Sequence, residues 1–327
     1  MAKVLLFFPF IVAIRQVAAG ITRHALEVSD PVLGPTTRRY ALAVPASYAP
    51  SVRAPVLLYF HGQGDQWPPV GTAYAALGEQ FGYLTVFPRG YGDFNGTDNA
   101  AYVAWNVGLV DAPMTLEGAN ATCFENTVPT CYDSCAGRCS RCAWSSCVDD
   151  VYFVESLLSS LGQNFTIDTG RVFATGASNG GMFVHHLAAR RPNLIRAVAP
   201  VYGLPLVGML RVPAAMGKIS ILQLHDRSDT TIPWQGGMTA AGWIYEALST
   251  VLSSWARVHG CRSSPALTGL ATPYDGGTHN FVCQEYRACR KGRVAQCFFD
   301  GHHGTWPTDG QIELLGTWFF FNYSLVA

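Results

Sequence analysis

This sequence predicts an α/β fold, a mostly parallel central sheet with helices on both faces, on two observations. Apolar runs of strand length, each ending in polar, loop-like residues, alternate with segments of helical spacing. The chain also has 327 residues, 49% of them hydrophobic and 13% charged, enough to bury a large core. No repeat, low-complexity tract or Pro/Ser-rich linker divides it, so a single domain over residues 21–327 is expected.

Arg39–Val44 alternates like a half-buried strand and stops at Pro45. Pro55–Phe60 is a continuous apolar strand that runs into His61-Gly62-Gln63-Gly64. A helix over Thr72–Gln80 precedes the next strand, Tyr83–Pro88. In "DDVYFVESLLSSLGQ", Val151, Val154, Leu158 and Leu161 share one helical face, and Asp149 and Asp150 suit the positive end of the helix dipole. "RVFATGASNGGMFVHHLAARRP" then joins a buried strand, Arg171–Thr175, to a helix over Gly181–Arg191 that Pro192 ends. "IRAVAPVYG", "KISILQLHD" and "VAQCFFDGHH" supply three further strands.

Residues 1–20, "MAKVLLFFPFIVAIRQVAAG", have the form of an export signal: Lys3, an apolar core Val4–Ile14 too short to span a bilayer, and small residues before Gly20. Ten cysteines fit secretion. Six (Cys123, Cys131, Cys135, Cys139, Cys142, Cys147) lie in or at the end of an insertion at 117–147, and four (Cys261, Cys283, Cys289, Cys297) lie later. Disulfides within each group are expected, in preference to a zinc knuckle at Cys135, Cys139 and Cys142. Sequons stand at Asn95, Asn120, Asn164 and Asn322. Zero formal net charge without basic or acidic blocks leaves nucleic acid and anionic membrane no electrostatic footprint. No obligate protein partner is evident.

Between the strand and helix of the quoted stretch sits Gly176-Ala177-Ser178-Asn179-Gly180. So abrupt a turn needs strained backbone at its apex and neighbours without side chains, which presents the Ser178 hydroxyl as a nucleophile. A parallel sheet gathers its chemistry at the carboxyl ends of strands. Two other strand ends carry what acyl transfer needs: Asp229 as orienting acid, and His302 or His303 as base, with His303 preferred. Asp226 is the alternative acid. The chain order Ser, Asp, His is that of α/β-hydrolases. For the developing oxyanion, the backbone N–H of Asn179 and of Gln63 are the candidate donors. His185 and His186 read as packing or surface residues and His225 as structural. Trp67, Trp105, Trp234 and Trp306 are candidate substrate-cleft residues. No metal or organic cofactor is implied.

Several motifs in order resemble the secreted esterase family that groups feruloyl esterases with polyhydroxybutyrate depolymerases: "VLLYFHGQG", "VFPRG", "CVDDVYFVESLL", "IDTGRVFATGASNGGM", "LQLHDRSDTTIPWQGG" and "DGHHGTWP". The resemblance implies the α/β-hydrolase fold, an acyl-enzyme on Ser178 and the acid at Asp229. Hydroxycinnamate esters of plant cell-wall polysaccharide are the expected substrate, ahead of polyhydroxyalkanoate or acetylated xylan. A secreted binding protein that kept the fold without activity is the rival. The chain departs from the family with Asp226 where glycine is usual, with an extra residue before Trp306-Pro307, and with a heavy six-cysteine insertion.

Overall fold

The computed structural model describes residues 20–68, 73–108, 132–136, 145–214, 217–262, 268–276, 280–305 and 309–325. The export-signal reading therefore lies outside the described residues except for Gly20, as do most of the 117–147 insertion and Trp306.

Ten strands form one sheet. They are β1 (Ile21–Asp30), β2 (Gly34–Ala43), β3 (Ala54–Phe60), β4 (Leu84–Pro88), β5 (Ile167–Ala177), β6 (Ala197–Val201), β7 (Ser220–Asp226), β8 (Thr268–Leu270), β9 (Val282–Glu285) and β10 (Val294–Phe299). Their spatial order is β1-β2-β4-β3-β5-β6-β7-β10-β9-β8. The central pairings from β4 through β10 are parallel, while β1, β2, β9 and β8 add antiparallel margins.

The central strands read as unbroken apolar runs because both faces are covered. In β3, Val56, Leu58 and Phe60 point into one core cluster and Leu57 and Tyr59 into the other. The first cluster takes the inner faces of α2 (Asp150–Asn164), α3 (Asn179–Arg190) and α4 (Leu248–His259). The second takes α1 (Ala73–Phe81) and the wide C-terminal helical turns over Leu314–Tyr323. α4 carries Val251, Leu252 and Trp255 on its buried face, and Gly260 ends it at φ 63°.

The two aspartates at the start of α2 divide their work in a way the helix-dipole reading did not separate. Asp149 caps the helix by accepting the Tyr152 N–H at 2.9 Å. Asp150 instead turns inward. Its Oδ1 accepts from the Arg38 guanidinium at 2.5 Å, its Oδ2 accepts the Asn106 N–H at 2.7 Å, and both side chains of the pair are fully buried. The Arg38 guanidinium also lies over the Phe153 ring at 4.1 Å. The pair thus ties β2, the Trp105–Gly108 segment and the start of α2 together. Asp150→Ala is expected to cost about 3–5 kcal/mol, because it strands a buried guanidinium. Urea unfolding checks this, and a loss below about 1 kcal/mol would show that the cation finds solvent.

Three disulfides are described: Cys135–Cys147, Cys261–Cys289 and Cys283–Cys297. Each joins cysteines of one sequence group. Since Cys135 is bonded to Cys147, it cannot serve as a thiolate ligand in a zinc knuckle. Cys283 and Cys297 are cross-strand partners in β9 and β10. The sequon asparagines Asn95, Asn164 and Asn322 are exposed, whereas Tyr323 and Ser324, which complete the last sequon, are buried. Among the described residues no helix is long and apolar enough to cross a membrane.

Candidate active site

Three strand ends converge on the same rim. Ser178 follows β5 at the head of α3 with φ 54° and ψ −122°, a conformation that costs a residue with a Cβ on the order of 1–3 kcal/mol. Its surroundings hold it there. The Ser178 N–H donates to Val201 O at 3.0 Å, and Ser178 O accepts the Met182 N–H at 3.0 Å. The flanking glycines are required by space. A Cβ on Gly180 would stand 2.2 Å from Phe60 O, and one on Gly176 would stand 2.7 Å from both Gly180 and Phe60 backbone atoms. Gly180→Ala is accordingly expected to lower the melting temperature and to displace Ser178. An unchanged thermal midpoint would show that the turn relaxes freely.

His303, in the loop after β10, meets Ser178 on one side and Asp229 on the other. His303 Nε2 is 3.0 Å from Ser178 Oγ, and His303 Nδ1 is 2.8 Å from Asp229 Oδ2. The other oxygen of Asp229 accepts the Thr231 and Ile232 N–H groups, each at 2.9 Å. The Asp229 carboxylate is fully buried while the His303 imidazole is 21% exposed, so the imidazole reaches solvent and the carboxylate does not. The Tyr202 ring packs on the His303 ring at 4.6 Å between centroids. Tyr202 itself has φ 32°, a second strained residue at this rim, and sequence reading did not single it out.

His302 is exposed and donates from Nδ1 to His303 O at 2.9 Å. The two histidines therefore face different ways. Asp226 is buried at the end of β7, where its Oδ1 accepts the Ser228 N–H. It shapes the turn that delivers Asp229.

The loop after β3 lies against the serine: a Cβ placed on Gly62 would be 3.4 Å from Ser178 Cβ. His61 organises this loop. Its Nε2 accepts the Gly90 N–H at 3.0 Å, so Nδ1 carries the proton and donates to Gly62 O at 2.7 Å. Burial keeps the ring neutral by lowering its pKa to about 4. With Gly62 O held by the imidazole, the trans Gly62–Gln63 peptide turns the Gln63 N–H to the opposite side. The Asp65 carboxylate accepts the Gly62 N–H at 2.7 Å and closes the turn. Asn179 is fully buried. Its side chain brackets Trp105, accepting the Trp105 N–H at 2.7 Å and donating to Trp105 O at 3.1 Å. Its own N–H stands first in α3, where intrahelical partners are lacking.

The tryptophans separate. Trp105 is a core residue, contrary to the cleft reading. It is fully buried, stacks on Phe183 at 5.2 Å and donates from Nε1 to His61 O at 2.9 Å. A ring so enclosed braces the loop and cannot touch a ligand. Trp67 is half-buried, donating to Phe87 O at 2.9 Å, and Trp234 packs edge-on against Phe298. Among the described residues no group of three or more His, Cys, Asp or Glu could hold a metal ion.

The parallel sheet, the strained serine turn between β5 and α3, and the order of the three strand-end residues define the α/β-hydrolase fold. The acetyl xylan esterase from Aspergillus awamori shares it, with a TM-score of 0.55 at 15% identity over 91% of this chain and 98% of that one. No family model matches the sequence. Feruloyl esterase D of Neurospora crassa is 31% identical over 180 residues, which are 53% of this chain and 55% of that protein. A bifunctional acetylxylan esterase/xylanase of Neocallimastix patriciarum is 25% identical over 193 residues, 58% of this chain and 22% of that one. The chain spans about half the length of the feruloyl esterases it matches. These likenesses support an esterase family of the α/β-hydrolase kind.

Proposed function

We propose that this chain hydrolyses carboxylic esters through an acyl-serine intermediate, and that its substrates are hydroxycinnamate esters of plant cell-wall polysaccharide. The observation that carries the reaction is the pair of contacts at His303, 3.0 Å to Ser178 Oγ and 2.8 Å to Asp229 Oδ2. Ser178 Oγ attacks the ester carbonyl as His303 Nε2 takes its proton. The C–O bond to the alcohol then breaks, and His303 returns the proton to the leaving oxygen. Water, deprotonated by the same imidazole, attacks the acyl carbonyl; the C–O bond to Ser178 then breaks, His303 returns the proton to Ser178 Oγ, and the acid leaves. Asp229 holds His303 in the Nδ1–H tautomer and stabilises the imidazolium. The N–H groups of Gln63 and Asn179 receive the oxyanion, where each donor is worth about 2.7–4 kcal/mol.

The substrate class rests on likeness to the feruloyl esterases. Acetylated xylan is the second reading, favoured by likeness to the Neocallimastix enzyme. Secretion as one catalytic domain over 21–327, bearing the 117–147 insertion, accords with the disulfides. Initial rates on methyl ferulate, 3-hydroxybutyrate oligomers and acetyl-xylan test the proposal. Methyl ferulate is expected to turn over fastest. Faster release of acetate moves the assignment to acetyl-xylan, and no turnover of any ester favours a binding protein.

A further inference from the structure

The acid loop is held from below by a chain of four buried side chains that the reaction itself does not use: Trp255 on α4, His185 on α3, and Gln223 and His225 on β7. Each is essentially inaccessible to solvent. We infer that His225 is a positioning residue for the Asp229 carboxylate, its tautomer fixed by a hydrogen-bond chain that begins at Trp255. The inference rests on the proposed reaction for its meaning, and on geometry for its content.

The direction of the chain follows from one donor-only group. An indole N–H can only donate. Trp255 Nε1 lies 3.2 Å from His185 Nδ1, so that nitrogen accepts and the proton of His185 sits on Nε2. His185 Nε2 then donates to Gln223 Oε1 at 2.7 Å, which fixes which end of the amide faces which neighbour. The Gln223 NH2 is left to donate to Leu224 O at 3.1 Å and towards His225 Nδ1 at 3.4 Å. With Nδ1 facing a donor, His225 carries its proton on Nε2, and that group donates to Ile232 O at 2.8 Å.

Ile232 is the connection to the site. Its N–H donates to Asp229 Oδ1, and its carbonyl is held by His225. The loop is thus gripped on both sides of one residue. His225 Nε2 also stands 3.6 Å from Asp229 Oδ2, the oxygen that faces His303. The opposite tautomer of His225 would set two donors against each other at Gln223 and leave Ile232 O without its partner. Each such buried mismatch costs about 1–3 kcal/mol. Burial lowers the pKa values of His185 and His225 to about 4, which keeps the chain uncharged although Asp229 and Asp226 face His225 and favour its protonation; His303, also facing it, acts with burial.

The test compares two amides at one position. Gln at 225 carries its nitrogen near the place of imidazole Nε2 and can reach Ile232 O, whereas Asn mimics Nδ1 and falls short. His225→Gln should keep kcat within about threefold. His225→Asn should lower kcat at least about tenfold, short of the ~10⁴-fold cost of disabling the acid itself, with KM within about twofold. The far-downfield proton resonance of His303 Nδ1–H bonded to Asp229 reads the same contact without turnover. It should persist in His225→Gln and vanish in His225→Asn. A folded His225→Asn protein with unchanged kcat and resonance overturns the inference. If that variant does not fold, the ¹⁵N shifts of the unsubstituted protein decide. A neutral Nε2–H tautomer at His225 supports the chain, and an Nδ1–H tautomer or an imidazolium overturns it. Were the protein to hydrolyse no ester, the proposed function would fail while the resonance and tautomer results still judged the positioning.

Discussion

Ser178→Ala and His303→Ala are each expected to lower kcat for ester hydrolysis by about 10⁴–10⁶-fold, whereas His302→Ala leaves most of it. The size follows from the proposed mechanism. Nucleophile and base act as one unit, so losing either forfeits nearly the whole covalent pathway, and what remains comes from the oxyanion donors and binding. The contrast between the histidines follows from geometry. His303 spans Ser178 and Asp229, while the ring of His302 bonds to the carbonyl of its neighbour. Alanine keeps the Cβ that makes the φ of 54° costly, so the serine variant should keep its melting temperature. Steady-state rates on methyl ferulate together with thermal unfolding measure both halves. Retained turnover in Ser178→Ala would remove the acyl-serine pathway.

The second large effect is on stability in acid. His61, His185 and His225 are fully buried, and burial lowers each pKa to about 4 against an ordinary value of 6.5. The unfolded chain therefore takes up these protons first. Folding stability from these groups is intact above pH ~6.5 and is lost as the pH falls towards ~4. Each histidine contributes a slope of up to roughly 1.4 kcal/mol per pH unit in that window. Asp150 works the other way. Burial, opposed by Arg38, raises its pKa to about 6, so the folded state gains stability as that carboxylate protonates between pH ~6 and ~4. His186, pushed by burial to about 3, adds to the loss, and Asp93, raised by burial, adds to the gain; four imidazoles against two carboxylates leave a net loss of several kcal/mol, comparable with a typical total of about 5–15 kcal/mol. Urea unfolding at pH 7.5, 6.0, 5.0 and 4.5 should show the midpoint falling steeply. A flat profile would mean that these imidazoles find water or protons in the folded state.

Much of this architecture was legible in local pattern. The strands β3, β4, β6, β7 and β10 and the second half of β5 are buried, mostly apolar runs, because in a sheet covered on both faces nearly every position is a core position; the first half of β5, Ile167–Arg171, lies outside that cover and is mostly polar. The serine turn was legible because its glycines answer to a spatial demand that few other turns make. Other features were not. β1 is a largely exposed edge strand whose polar side chains obscure it, and β8 and β9 are short margins. Trp105 could not be told from a cleft residue, since what encloses it, Phe60, Phe183 and the Asn179 side chain, comes from distant parts of the chain. The chain from Trp255 to Ile232 was hidden for the same reason. Tyr202 carries no motif, and only its packing on His303 reveals it.

The three strand ends at the rim lie far apart in sequence, and the last of them follows β10, which pairs with β7 on one side and with its disulfide-linked neighbour β9 on the other. No stretch of the polypeptide ending before residue 303 can hold the serine–imidazole contact, however well its earlier strands have assembled. Regain of turnover after denaturation would therefore report completion of the last central strand, lagging signals from helix formation.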